Sequence, residues 1–168
     1  MGRKPRPLAS SNQFRPVGFR IVPLEVRAAA QAYPLLRNHW PTLTLEAWLR
    51  FARALCRGRR GAHGSGLDAV LDPAGYIYGL VGYEFGCDMV EGRVMRIDLL
   101  VALGLINTDV LVLLLDAVER AAAREDCAAV VLAANAMGAG RWRASTRHQA
   151  LARAGFEPAT GALVRHRH

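Results

Sequence analysis

Lysine is almost missing from this chain: of its 22 Lys and Arg residues, only Lys4 is a lysine. The formal charge of +8 is therefore an arginine charge, and it is unevenly spread. Arg3, Lys4, Arg6, Arg15 and Arg20 occupy the first twenty residues without an acid among them, and Arg57, Arg59 and Arg60 form a second cluster. Aromatic residues are 7% of the chain; two, Phe14 and Phe19, stand beside Arg15 and Arg20, and none falls within the second cluster. Two isolated rings on a Pro-containing arm make a poor base-stacking platform, and the expected attraction is the sequence-independent one to anions. Long apolar runs are also absent. The run Val110–Leu115 falls far short of the roughly 20 residues that cross a bilayer as a helix. The basic start is followed by no apolar stretch, unlike a cleaved secretory signal, and the expected location is the cytoplasm. The three cysteines, Cys56, Cys87 and Cys127, form no C-x-x-C pair, which fits neither a zinc site nor a disulfide framework. The five histidines are scattered, so no metal is expected.

What is present suits one domain. A chain of 168 residues, 52% hydrophobic and 21% charged, can bury about 70% of the surface its unfolded form exposes. Residues 1–17 hold three prolines and no apolar period and read as a disordered, solvated basic arm; a nucleic-acid partner is the alternative, and only through this arm. The domain is expected to run over 18–168.

Within it, Phe19–Val22 alternates as a short strand, and Leu24–Asn38 carries Ala and Leu at helical spacing. Thr44 reads as the cap of a second helix whose Leu45, Trp48, Leu49, Ala52 and Leu55 share a face. A glycine-rich loop follows, from Arg57 to Gly66. Leu67–Leu71 and Tyr76–Phe85 flank the turn sequence Asp72-Pro-Ala-Gly75 and predict a hairpin. Arg93–Val101 alternates as a third antiparallel strand. Thr108 opens a helix to Arg124 with the stripe Leu111, Leu114, Leu115, Val118 and Ala122. Ala128–Ala133 is a buried strand, Ser145–Ala154 a helix stopped at Gly155, and Ala162–Val164 a last strand. This order is α+β: a mixed, mostly antiparallel central sheet flanked by helices.

That order, with three particular segments, resembles the GNAT acyltransferases. Val101-Ala-Leu103 is similar to the end of the family's fourth strand. The segment from Leu114-Leu115 to Ala122 is similar to its central helix, and Ala150 to Pro158, with Gly155-Phe156, to its last helix and Gly-Phe turn. The resemblance covers residues 19–164 and is firmest over 67–158. It implies an N-acyltransferase drawing on acetyl-CoA or another acyl-CoA, with a small-molecule or protein amine as acceptor. A catalytically inactive GNAT-like binding or regulatory module is the alternative.

The family's pyrophosphate loop, Gln/Arg-x-x-Gly-x-Gly/Ala, would fall on Ile106-Asn-Thr-Asp109-Val-Leu111, where none of its defining residues stands. Glycines there let backbone N–H groups approach phosphate at a helix N-terminus. Leu111 is expected to crowd that approach and Asp109 to repel the phosphates. The resemblance leaves Leu100, Val101, Leu103, Asn107 and Thr108 as cofactor contacts through an atypical site. Leu151 stands where the family often has a tyrosine that protonates the departing thiolate. Glu84 and Asp98, on neighbouring predicted strands, are the candidate general bases, or else members of ion pairs with Arg96 or Arg93. Tyr76, Tyr78 and Tyr83 are the candidate acceptor contacts, or else strand residues placed for packing.

Overall fold

A computed structural model describes residues 18–58, 64–103, 108–138, 146–159 and 162–167. The basic arm 1–17, Arg59, Arg60 and Asn107 lie outside the described residues.

The chain begins with β1 (Arg20–Pro23), a 3-10 helix (Val26–Ala32), α1 (Tyr33–Arg37) and α2 (Leu45–Arg57). Then come β2 (Ser65–Leu71), β3 (Ile77–Asp88) and β4 (Gly92–Ala102), followed by α3 (Thr108–Arg124), β5 (Ala129–Ala133), α4 (Thr146–Arg153), β6 (Glu157–Ala159) and β7 (Ala162–His166). The single helix expected from Leu24 to Asn38 is two pieces. Pro34 sits in the first turn of α1, where its missing N–H is harmless, whereas inside a continuous helix it would break the ladder. β6, which the sequence reading lacks, is three residues long and held only by β7. Its Pro158 and short length hide it from any alternation pattern.

All strands join one seven-stranded sheet in the order β1-β2-β3-β4-β5-β7-β6. Every pairing is antiparallel except β4 with β5. The expected hairpin is β2–β3. Asp72 Oδ1 accepts from the Tyr76 N–H at 2.9 Å, and Gly75 takes φ of +89°, a conformation that favours glycine.

Two apolar layers sandwich the sheet. On one face the 3-10 helix, α1 and α2 cover Leu67, Ala69, Leu80, Leu99 and Val101. Thr44 Oγ1 caps α2 through the Ala47 N–H at 3.2 Å, and the Trp48 indole N–H donates to the Ala29 carbonyl at 2.6 Å, pinning α2 to the 3-10 helix. Ser65 Oγ donates to the Leu55 carbonyl at 2.6 Å, satisfying one of the carbonyls that the end of α2 leaves without a helical partner. On the other face α3 and α4 cover Val70, Val81, Met95, Ile97, Leu100 and Leu132. Gly79 makes α3's approach possible: a Cβ there would stand 2.6 Å from Val110 Cγ1.

Candidate functional site

Strand β4 is built to open. Its early residues pair with β5 in parallel, ending at Ile97↔Leu132. Against β3, Ile97 opposes Tyr83 and Leu99 opposes Gly82, so Asp98 is the extra residue of a bulge. Beyond the bulge, β5 ends at Ala133 and the chain turns back, with the Ala136 N–H bonded to the Ala133 carbonyl and the Gly138 N–H to the Asn135 carbonyl. The turn delivers the Ala136 carbonyl to the Leu100 N–H at 2.8 Å. Gly138, with φ of +78°, then lies against the link between α1 and α2, where a Cβ would stand 2.8 Å from the His39 carbonyl and 3.1 Å from the Trp40 ring. The bulge, the turn after β5 and the His39–Trp40 link thus meet at one end of the sheet.

Strand alternation decides which side chains can act together there. Tyr83 and Phe85 pack on the α3 side, so Glu84 between them faces the α2 side. Met95 and Ile97 are likewise in the α3-side core, which puts Arg96 beside Glu84, its cross-strand partner. Arg96 Nε lies 3.0 Å from Asp98 Oδ1. The two candidate carboxylates therefore share one face with an arginine between them. Asp98 is the more enclosed, its side chain 20% exposed, whereas Glu84 is an exposed residue. Among the described residues, no group of three or more His, Cys, Asp or Glu stands together as a metal site.

The tyrosines are not brought to those carboxylates. Tyr78 and Tyr83 pack against the α3-side core, across the sheet. Tyr78 meets Phe19 edge to face at 5.1 Å. Tyr83 lies over Gly66, where a Cβ would overlap its ring, and its hydroxyl stands 3.2 Å from Asp68 Oδ2. Tyr76 sits at the β2–β3 turn, 70% exposed. A single pocket shared by all three with Glu84 and Asp98 is not what the fold makes. The sequence reading placed these residues on adjacent strands without resolving their faces, and each β-bulge shifts the alternation: one at Val70/Leu71 opposite Tyr78, the other at Asp98.

The cofactor candidates divide in the same way. Leu100 and Val101 are 1% and 0% exposed, so only their backbone could meet a ligand, and the Leu100 N–H is engaged by Ala136. Leu103 donates its N–H to the Tyr78 carbonyl at 2.8 Å. Thr108 begins α3. Leu111 is 3% exposed in the α3-side core, which corrects the expectation that it crowds the helix N-terminus. Its side chain is turned into the sheet layer. Leu151, 1% exposed, is a core residue as well. The turn at Asn135–Gly138 and the His39–Trp40 link were missed as site elements, since neither carries a motif. Gly138, after a buried strand, was the one available signal.

No protein-family model matches the chain, and no curated protein matches it. Solved structures do. An acetyltransferase from Trypanosoma brucei superposes with a TM-score of 0.61 at 16% identity, covering 84% of this chain and 94% of that one. An acetyltransferase from Salmonella typhimurium that modifies the N-terminal serine of a 50S ribosomal subunit protein gives 0.65 at 10% identity, over 90% and 96%. An aminoglycoside 6'-N-acetyltransferase from Acinetobacter baumannii gives 0.64 at 16% identity, over 84% and 92%. The chain has the GNAT fold, a mixed and mostly antiparallel sheet flanked by helices. No helix among the described residues is long and apolar enough to cross a membrane.

Proposed function

We propose that this chain, built on the GNAT acetyltransferase fold, transfers an acetyl or other acyl group from CoA to an amine through an atypical cofactor site. The observation that carries the proposal is the parting of β4 and β5 at the Asp98 bulge. It brings a half-enclosed carboxylate to the strand segment where the pantetheine arm would lie along the backbone of Leu100 to Leu103. Asn107 and Thr108 are the proposed pyrophosphate contacts; α3 begins at Thr108, and the first-turn N–H groups and dipole of a helix favour an anion without any glycine motif.

Asp98 is the proposed general base, with Glu84 the weaker candidate because it is exposed. The ammonium proton of the acceptor passes to the Asp98 carboxylate. The freed nitrogen attacks the thioester carbon, the C–S bond breaks to release CoA thiolate, and the nitrogen gives its second proton to water as the amide forms. Leu151 can supply no proton to that sulfur, so water protonates it. Arg96 positions the carboxylate by holding Oδ1. The acceptor is a primary amine, on a small molecule or at a protein terminus, in keeping with the acceptors of the structural neighbours. Its contacts are better sought at His39 and Trp40, beside the turn at Gly138, than at Tyr76, Tyr78 or Tyr83.

A second reading has its own observation. The Leu100 N–H is already satisfied by Ala136, and the segment 106–111, aligned with the family's phosphate loop, carries no glycine, as a binding module that does not use acetyl-CoA would allow. Melting with and without acetyl-CoA separates the two. A ligand at 100 times its Kd adds about 2.7 kcal/mol of stability, and a shift accompanied by acylated amine supports the enzyme. No shift at millimolar acetyl-CoA supports the module.

A further inference from the structure

The hairpin joining β3 to β4 ends in Asp88-Met89-Val90-Glu91. Met89 is 103% exposed and Val90 88%, so two adjacent apolar side chains stand wholly in water. The tip holding them is ordered by its own bonds. Asp88 Oδ1 accepts from the Val90 N–H at 2.8 Å and the Glu91 N–H at 3.0 Å, and Gly92 takes φ of +77°. Those two N–H groups, Glu91's first, hold the Asp88 carboxyl below its ordinary range. A large apolar pair on a rigid tip is surface that a monomer has reason to cover.

The opposite surface exists on the same chain. Between the second half of α3 and strands β1 to β3 lies a groove of about 480 Å³. Ile21, Phe85, Ala117 and Ala121 give it an apolar lining, and Arg120 and Arg124 reach it from α3. The two arginines have no ion-pair partner among the described residues. The acids in the groove are engaged: Glu125 by Arg93 at 2.7 Å, and Asp68 by the Tyr83 hydroxyl. The groove thus offers apolar walls and two arginines that have no ion-pair partner among the described residues, with the Asp68 carboxylate beside them. The tip offers two apolar side chains flanked by Asp88 and Glu91, with Glu91 also 3.2 Å from His166 Nδ1.

We infer that the tip of one copy of this chain docks in the α3 groove of a second copy, and reciprocally, making a two-fold dimer. Tip and groove share one strand: Phe85 lines the groove and Asp88 begins the tip, three residues apart, or about 10 Å along a strand. With the two surfaces so near each other, one two-fold axis seats both tips at once and closes the assembly. Double insertion covers each groove and each apolar pair, as an interface of the usual 1,200–2,000 Å² in total requires. A lipid surface is the poorer occupant for the tip, because Asp88 and Glu91 oppose approach to anionic headgroups. The inference is independent of the acyltransferase reading, since the groove lies across the sheet from Asp98.

Sedimentation velocity of the full chain tests it. The wild type is expected as a dimer at tens of micromolar protein. Met89→Asp with Val90→Asp, and separately Arg120→Glu with Arg124→Glu, are each expected to give monomers with an unchanged far-UV spectrum. A monomeric wild type overturns the inference, and so does a dimer that survives either pair of substitutions. Should a double variant fail to fold, Arg120→Cys supplies a second measurement. A short bismaleimide is expected to link position 120 of one copy to the exposed Cys87 of the other, and absence of that inter-chain link overturns the inference.

Discussion

The Leu100 N–H and the Ala136 carbonyl, 2.8 Å apart, close the gap between β4 and the chain leaving β5. This bond ties the turn after β5 to the strand that carries the Asp98 bulge. Any ligand lying along β4 at Leu100 must displace that carbonyl or use the backbone groups on either side of it. The candidate site is therefore poised by a main-chain contact, and substitutions around it have separable outcomes.

Asp98→Asn is expected to lower the acyl-transfer rate by about 10²–10⁴, the usual contribution of a general base. Its melting temperature should move little, because a largely exposed partner such as Arg96 contributes about 1 kcal/mol at most. Glu84→Gln should leave the rate within a few-fold of wild type. Thiol release from acetyl-CoA in the presence of an amine measures both, and the reverse ranking would move the base to Glu84.

Asp109→Asn is expected to tighten CoA binding, and the gain should shrink as salt is raised, because it removes a carboxylate from the first turn of α3, near the proposed phosphate position. Calorimetry at two ionic strengths reads it. Leu111→Gly has a different outcome. Emptying that buried position should cost about 2–5 kcal/mol for the lost side chain and roughly 1 kcal/mol more for glycine within a helix, lowering the melting temperature with no gain in CoA affinity.

Gly66→Ala places a methyl group where the Tyr83 ring lies. The ring must swing away and its hydroxyl must leave Asp68, at a total cost of roughly 1–3 kcal/mol. Tyr83→Phe alone should cost about 1 kcal/mol. Denaturant unfolding of the two variants checks the order, and equal losses would mean that Gly66 does not support the ring.

Thiol labelling should rank the cysteines. Burial pushes the Cys127 thiol up from its ordinary value of 9.0, against the nearby Arg93 and Arg167 charges that lower it. Since the thiolate is the reactive species, Cys127 should be the slowest to modify in the folded chain, and raising the pH toward 9 should leave it slow. Exposed Cys87 should react first and half-buried Cys56, which donates to the Leu24 carbonyl at 3.3 Å, between them. Mass spectrometry of timed reactions shows the order, and rapid labelling of Cys127 would contradict its burial.

By itself the sequence determined the layered α+β order. Alternation in Met95, Ile97, Leu99 and Val101, the Asp72–Gly75 turn, the Thr44 cap and the α3 stripe are local patterns, and local stereochemistry sets their meaning. Which side chains share a face across the sheet was decided only by tertiary structure. The irregularity at Val70/Leu71 sent Tyr78 to the α3 side, away from Glu84 and Asp98; Tyr83 already lies on that side by simple alternation with Glu84. The extra residue at Asp98 shifted the faces of Leu99 and the residues after it on β4. A bulge is a property of two strands in register, so nothing in either strand alone announces it. The same holds for Leu111, whose place in a phosphate motif and whose place in the core are both compatible with its spacing. Packing of α3 against Gly79 and its neighbours chose the core.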